Sequence, residues 1–128
     1  MSVDGSSEAM TVTIYHNPRC SKSRATLQLL RDRGIEPTVI EYLTDPPDAR
    51  RLRRLVELLG IGPRELMRKG EAIYKEKNLA DPELDDAALI AAMVADPILI
   101  ERPIVAVKDA KGERAALGRP PEQVLKIL

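Results

Sequence analysis

The chain has 128 residues, the size of one domain and enough to bury a hydrophobic core. Lys plus Arg and Asp plus Glu number 20 each, and this balance gives no support for binding to nucleic acid or to a membrane surface. No apolar run is long enough to span a membrane, and residues 1–10 lack the basic start and apolar stretch of a signal peptide. We therefore predict a disordered tail over 1–10 and a single domain over 11–128, located in the cytoplasm.

A β-α-β unit is predicted at the start of the domain. Residues 12–15 form an apolar run typical of a strand, and the spacing of the leucines predicts a helix over 21–33 that Gly34 ends. Pro37 then opens a second strand over 38–43, which is rich in β-branched residues. Because the links are short, we expect the two strands to be parallel, with a right-handed crossover.

The middle of the chain, residues 44–96, is predicted to be a helical insert without strands. Apolar residues recur at helical spacing over 48–59, 64–69 and 85–95, and 74–78 indicates a short helical or irregular stretch. The first of these helices is expected to turn four arginines to solvent, namely Arg50, Arg51, Arg53 and Arg54.

Strands return at the C-terminal end. Residues 104–108 and 113–117 are predicted to form a hairpin, since Asp first and Gly fourth in 109–112 suit a type I turn followed by a bulge. A last helix is expected after two prolines, with Val124, Leu125 and Leu128 facing inward. The order β-α-β, helical insert, β-β-α predicts an α/β fold with a thioredoxin-like mixed sheet.

Cys20, the single cysteine, lies directly before a predicted helix, a position that favours a reactive thiol. It follows the first predicted strand and a turn-forming stretch, and it precedes a basic helix start. The positive end of the helix dipole and the nearby charges of Arg19, Lys22 and Arg24 favour the thiolate, which is the nucleophilic form. The alternative is a small buried cysteine, which the polar flanks disfavour. Since there is no second cysteine, any redox chemistry at Cys20 must finish with a thiol from another molecule.

Three arginines are candidates for binding an oxyanion beside this thiol. Arg68 lies in the insert, Arg102 just before the third strand and Arg119 just after the fourth. If the third strand lies beside the first, the loop with Arg102 comes near Cys20, and the Arg102–Pro103 bond is a candidate cis peptide. The planar guanidinium matches the oxygens of a tetrahedral anion. For each arginine alone, an ordinary surface position is the alternative.

The remaining candidate positions narrow the chemistry. His16 could tune or shuttle protons, or it could cap its loop by hydrogen bonding, and both interpretations stay open. One cysteine and one histidine make no credible metal site. A phosphatase of the low-molecular-weight type needs an arginine where Thr26 stands, and a dithiol oxidoreductase needs a cysteine where Ser23 stands. The segment 20–23 does have the C-x-x-S form of monothiol glutaredoxins.

Four motifs occur in order along the chain. They are IYHNPRCSKSR at 14–24, ELMR at 65–68, PILIERPIV at 97–105 and GRPPEQVL at 118–125. Over Thr11 to Leu128 the chain closely resembles the glutaredoxin-dependent arsenate reductases of the ArsC type, and within them the YfgD-like branch. The resemblance implies a thioredoxin-like fold with a helical insert, which agrees with the predicted order of elements.

The resemblance also implies a reaction, the reduction of arsenate to arsenite. In the family's scheme the thiolate attacks arsenic, glutathione then adds, electrons pass to arsenic, and glutaredoxin clears the glutathionylated cysteine. We expect no bound cofactor and no metal, with arsenate, glutathione and glutaredoxin as partners of a monomer. By position, Cys20 matches the nucleophile. The other matching residues are the oxyanion-binding Arg68, Arg102 and Arg119, and His16 and Ser23 near the thiol. We expect His16 and Ser23, together with the nearby charge of Arg24, to stabilise the thiolate.

Two other functions remain as alternatives. A monothiol thiol-exchange oxidoreductase would act on glutathionylated substrates, but such substrates do not need three guanidinium groups. A regulator of the Spx type would share the fold and bind RNA polymerase. Those regulators often carry a C-x-x-C switch, which Ser23 breaks in this chain.

Overall fold

The computed structural model describes residues 10–128, so most of the predicted tail, residues 1–9, lies outside the described residues. The strands are β1 (Thr11–His16), β2 (Thr38–Glu41), β3 (Ile104–Asp109) and β4 (Gly112–Leu117). The α-helices are α1 (Ser21–Asp32), α2 (Ala49–Leu59), α3 (Pro63–Leu66), α4 (Ala72–Glu76) and α5 (Asp86–Ala95), and 3₁₀ helices cover Pro97–Leu99 and Pro121–Ile127.

The described chain divides into two compact units. The first contains the described residues up to Glu41 together with Arg102–Leu128, and it holds α1 and all four strands. The second is Tyr42–Glu101, which holds α2 to α5. The predicted helical insert, 44–96, falls within this second unit.

The first unit is built on one four-stranded mixed sheet with the order β2-β1-β3-β4. β1 pairs with β2 in parallel and with β3 antiparallel, in a register that places Ile14 opposite Val105. β3 and β4 form the predicted hairpin, which closes at the Asp109–Gly112 pair. The parallel β-α-β unit and the adjacency of the first and third strands are therefore confirmed.

An aliphatic core lies between this sheet and its helices. It is made of buried side chains from β1, α1, β3 and the C-terminal 3₁₀ helix, including Ile14, Leu30, Val105 and Val124, each with no exposed surface. Complete burial of a side chain of this size contributes about 1.5–3 kcal/mol. The core holds the end of β1 against the start of α1, and this fixes the loop that joins them.

The C-terminal segment differs from its prediction in helix type and in the residue that faces the core. It is a 3₁₀ helix, and Leu128, predicted to face inward, is 37% exposed. A 3₁₀ helix has three residues per turn, so side chains three positions apart share a face. Val124 and Ile127 are therefore the residues that pack on the core. β2 is also shorter than predicted and ends at Glu41, which leaves Leu43 exposed.

In the second unit, the predicted helix ends follow from capping. The carboxylate of Asp48 accepts a hydrogen bond from the backbone N–H of Arg51 at 2.8 Å, and α2 ends at Gly60, whose φ is 70°. Asp85 caps α5 by accepting from the N–H of Ala88 at 2.9 Å. Of the four arginines expected at the surface of α2, three are exposed and Arg51 is half-buried.

The predicted helix over 64–69 is wrong in its second half. α3 ends at Leu66, and Met67 forms an isolated antiparallel bridge with Ile100. Beside this bridge, the N–H of Arg68 donates to the carbonyl of Leu99 at 2.7 Å. This long-range backbone pairing ends the helix, so the insert is not free of extended structure. Within residues 10–128, the helices are too short or too polar to cross a bilayer.

Candidate active site

Cys20 is the N-cap residue of α1, at the end of a short loop after β1. Its backbone is extended, with φ −96° and ψ 123°, and its side chain is half-buried. Its N–H donates to the carbonyl of Asn17 at 3.0 Å, and its own carbonyl accepts from the N–H of Arg24 at 3.0 Å. The thiol therefore stands at the positive end of the helix, outside the hydrophobic core.

The surroundings of the Cys20 thiol favour its ionised form. Partial burial raises the pKa of the thiol, but hydrogen bonding from the backbone N–H of Ser23, the positive charge of Arg102 and the backbone N–H of Lys22 lower it by more. A side-chain hydrogen bond from Arg102 lowers it further, and the net pKa lies below the ordinary thiol value. Arg102, rather than the arginines that flank Cys20 in sequence, is the charged side chain that acts on the sulfur.

His16 and Ser23 form a buried hydrogen-bonded pair behind the thiol. Nδ1 of His16 lies 2.6 Å from Oγ of Ser23, and this hydroxyl also accepts from the N–H of Asn17 at 3.0 Å. Burial lowers the pKa of His16, Glu41 opposes this, and the charges of Arg31 and Arg24 lower it further. The imidazole is therefore neutral near pH 7, and it orients Ser23 instead of adding charge. The hydroxyl of Ser23 bonds His16 and Asn17, while its backbone N–H acts on the sulfur.

Arg24, whose charge is predicted to stabilise the thiolate, bonds the loop that carries Cys20. Its Nη1 donates to the carbonyl of Pro18 at 2.9 Å, and its side chain is exposed. This bond ties the first turn of α1 back onto the loop that carries Cys20. Arg24 therefore supports the shape of the thiol loop, and its charge acts on His16.

Asn17 is a site residue that sequence reasoning missed. Its side-chain Oδ1 accepts from the N–H of Arg19 at 3.0 Å, its carbonyl accepts from the N–H of Cys20, and its own N–H bonds Ser23. Asn residues favour such turns because the side chain can accept from a backbone N–H two residues on. An Asn directly before Pro18 in a short strand-to-helix link was the available signal.

Arg102 and Arg119 lie at the two chain ends of the β3–β4 hairpin, and the structure brings these ends together. Both are followed by cis peptide bonds, to Pro103 and to Pro120. The N–H of Gly118 donates to the carbonyl of Pro103 at 2.9 Å. Nη1 of Arg119 donates to the carbonyl of Arg102 at 3.2 Å. The loop before β3 and the loop after β4 are therefore bonded to each other.

Arg68, the third predicted oxyanion ligand, belongs to the second compact unit. Its Nη2 lies 2.9 Å from Oε2 of Glu71, and both side chains are about one-fifth exposed, at 21% and 23%. Its backbone is held by the hydrogen bond to Leu99 described above. Arg68 is thus a half-buried guanidinium with a carboxylate partner in its own unit. Residues 10–128 contain no group of three or more His, Cys, Asp or Glu side chains placed to hold a metal ion.

The mixed sheet places the chain in the class of thioredoxin-like proteins. Its one cysteine lies at the start of the first helix, with a lowered thiol pKa and an arginine–proline loop acting on the sulfur. Comparison with known sequences narrows the class. The profile of the ArsC family matches residues 15–127, and the chain belongs to this family.

Individual relatives agree with this assignment. The chain is 58% identical over 118 residues to the uncharacterized protein YfgD of Escherichia coli strain K12, covering 91% of this chain and 96% of that protein. It is 47% identical over 118 residues to an arsenate reductase of Neisseria meningitidis serogroup B, covering 91% of this chain and 97% of that protein.

Solved structures show the same architecture. An arsenate reductase from Vibrio cholerae superposes with a TM-score of 0.85 at 55% sequence identity, covering 94% of this chain and 99% of that one. The predicted thioredoxin-like fold and the predicted family are therefore confirmed.

Proposed function

We propose that this chain is an arsenate reductase that uses Cys20 as its one nucleophile and takes its electrons from glutathione and glutaredoxin. The observation that carries the proposal is the contact of Arg102 with the Cys20 thiol at the start of α1, which joins a nucleophile to an anion-binding group. The relatives named as arsenate reductases, at 45–47% identity, support the substrate.

The first step follows from the charges at the site. The guanidinium groups of Arg102 and Arg119 bind the arsenate oxyanion, and Arg68 is the third arginine that the proposal assigns to it. The thiolate of Cys20 attacks the arsenic, a sulfur–arsenic bond forms, and one arsenate oxygen leaves as water after taking up protons. Arg102 serves two roles in turn, since it stabilises the thiolate before the anion binds and the oxyanion afterwards.

The later steps need thiols from outside the chain. Glutathione bonds to the arsenic and releases a second water. Its sulfur then forms a disulfide with Cys20 as both sulfur–arsenic bonds break. One bonding electron pair stays on the arsenic and reduces As(V) to As(III), and one water adds to the arsenic, which leaves as arsenite. A thiol of glutaredoxin attacks the glutathione sulfur of this disulfide and returns Cys20 to its thiolate form. We place the reaction in the cytoplasm, where thiols are kept reduced, and assign it to a monomer.

The test is arsenite production from arsenate with purified protein, glutathione and glutaredoxin. Turnover should require both reductants and should vanish in Cys20→Ser, because serine is not ionised at neutral pH. Ser21→Ala, at the exposed neighbouring position, is the matched control and should keep its turnover. Absence of turnover above background, or full turnover in Cys20→Ser, would refute the proposal.

The monothiol thiol-exchange alternative predicts a different response to loss of the arginines. If Arg119→Ala, which keeps Arg102 beside the thiol, loses arsenate reduction and keeps deglutathionylation of a glutathionylated peptide, the arginine serves an oxyanion, as proposed. If the wild-type protein deglutathionylates efficiently and neither reduces nor binds arsenate, the alternative is the better assignment. Recovery of RNA polymerase in a pull-down would instead support a regulator.

A further inference from the structure

Gly118, the residue before Arg119, is buried at a point that leaves no room for a side chain. A Cβ added there would lie 2.9 Å from Cγ of Pro103 and 3.1 Å from Cγ2 of Thr26, and it would come closest to Oγ1 of Thr26. The φ angle of Gly118 lies outside the left-handed region, so its backbone conformation is open to any residue. The glycine is therefore required by a close approach between loop and helix rather than by backbone conformation.

The helix side of this contact is rigid. Thr26 is fully buried, and its Oγ1 donates to the carbonyl of Lys22 one turn earlier in α1, at 2.7 Å. A β-branched side chain has few rotamers in a helix, and rotation here would leave a buried hydroxyl unpaired. Lys22 and Ser23, in the same turn, carry backbone N–H groups that act on the Cys20 thiol. Thr26 is therefore fixed relative to the first turn of α1, where the Cys20 sulfur lies.

The loop side of the contact holds both hairpin arginines. The N–H of Gly118 bonds the carbonyl of Pro103, and the next residue, Arg119, bonds the carbonyl of Arg102. A displacement of Gly118 away from α1 would be transmitted through these two bonds to Arg102 and Arg119 together. Thr26 also occupies the position, six residues after Cys20, at which a low-molecular-weight phosphatase would need an arginine.

We propose that the close contact of Gly118 with Thr26 is a positioning device that sets the distance from Arg102 and Arg119 to the start of α1. Gly118 and Thr26 are positioning residues in this scheme, since they act through the arginines and through the helix backbone. For the identity of the anion, the inference rests on the proposed function. For the effect on the thiol, it rests on the contact of Arg102 with Cys20.

The principal test is Gly118→Ala, measured in two ways. The pKa of Cys20, from the pH dependence of iodoacetamide alkylation, should rise toward the ordinary thiol value because Arg102 moves away. The KM for arsenate should rise about tenfold or more, since misplacement by about 1 Å can cost a factor of about 10². Gly70→Ala is the matched control, because a Cβ at Gly70 meets nothing within 4 Å and its φ is not left-handed.

The double variant Gly118→Ala/Thr26→Ala distinguishes positioning from general damage. It removes the two Thr26 atoms near the new Cβ and leaves only the approach to Cγ of Pro103, within the loop itself, so we expect it to recover part of the thiol pKa and of the KM. If Gly118→Ala does not fold, Thr26→Val applies a similar displacement from the helix side by placing a methyl group where the hydroxyl lies, and the same pKa rise is expected.

Each outcome is decisive for one of the two proposals. An unchanged thiol pKa and KM in folded Gly118→Ala, or changes that are as large in the double variant as in Gly118→Ala, would overturn the positioning device. If the wild-type protein reduces no arsenate, the proposed function fails, and the alkylation measurements still test the device through the thiol alone.

Discussion

Nδ1 of His16, the last residue of β1, lies 2.6 Å from the hydroxyl oxygen of Ser23 in the first turn of α1. The same hydroxyl accepts from the N–H of Asn17, so strand, loop and helix meet at one buried oxygen. The backbone N–H of Ser23 donates a hydrogen bond to the Cys20 sulfur. The contact between His16 and Ser23 therefore also fixes the position of this N–H.

Ser23→Ala should destabilise the protein by about 1–3 kcal/mol, since it leaves the buried Nδ1 of His16 and the N–H of Asn17 without their partner. Urea unfolding measures the loss. The control is Ser21→Ala, whose exposed position should keep the change within about 0.5 kcal/mol. Equal effects of the two substitutions would contradict the buried role of Ser23.

Stability should fall as the pH drops below about 6.5 because of His16. Burial lowers the pKa of His16 in the folded state below its ordinary value of 6.5, so the unfolded chain binds more protons between the folded pKa and 6.5. Stability therefore rises with pH through this window and is lost on acidification.

The measurement is urea unfolding from about pH 5 to pH 7. The background is Cys20→Ser, because the lowered pKa of Cys20 also makes stability rise with pH. His16→Gln should flatten the profile. A slope that persists in His16→Gln would assign the effect to another group.

Arg102→Gln should raise the pKa of Cys20, since it removes both a positive charge and a side-chain hydrogen bond from the thiolate. Arg24→Gln should move this pKa much less, because Arg24 bonds the carbonyl of Pro18. Rates of alkylation by iodoacetamide against pH compare the two variants. A larger pKa shift in Arg24→Gln than in Arg102→Gln would show that the arginine closer to Cys20 in sequence is the one that stabilises the thiolate.

Arg114 should hold the C-terminal segment in place. Its Nη1 and Nη2 donate to the two carboxylate oxygens of Asp109 at 3.1 and 3.0 Å, and its Nε donates to the carbonyl of Ile127 at 3.1 Å. Arg114→Lys cannot reproduce this geometry, so amide hydrogen exchange over residues 121–127 should become faster. Lys126→Gln, at an exposed position of the same segment, is the control, and similar exchange in both variants would contradict the role of Arg114.

The sequence predicted the fold well because its signals are local and strong. The apolar run of β1, the leucines of α1 and the turn from Asp109 to Gly112 each specify an element, and short links restrict how the elements can be joined. The bridge between Met67 and Ile100 could not be predicted, since it depends on two segments far apart in sequence.

The site was predictable in its residue types and much less so in its contacts. Cys20 stood out by its uniqueness and its flanks, and the adjacency of β3 and β1 indicated that Arg102 comes near it. The charge state of His16 depends on its burial at the end of β1, which periodicity does not report. The role of Gly118 depends on a close approach between two segments, and glycine is common in loops whether or not another segment packs against it.

The hairpin that carries Arg102 and Arg119 has its turn at the opposite end, where Ala110 and Lys111 are exposed. Each strand advances about 3.3 Å per residue, so the six paired residues span roughly 17 Å from the turn to the strand ends, and each arginine lies two residues beyond. A residue inserted within either strand would shift the pairing and reverse which side chains face the core, whereas one added at the turn would not. The turn at Ala110 and Lys111 can therefore change in length without altering the strand pairing or the positions of Arg102 and Arg119.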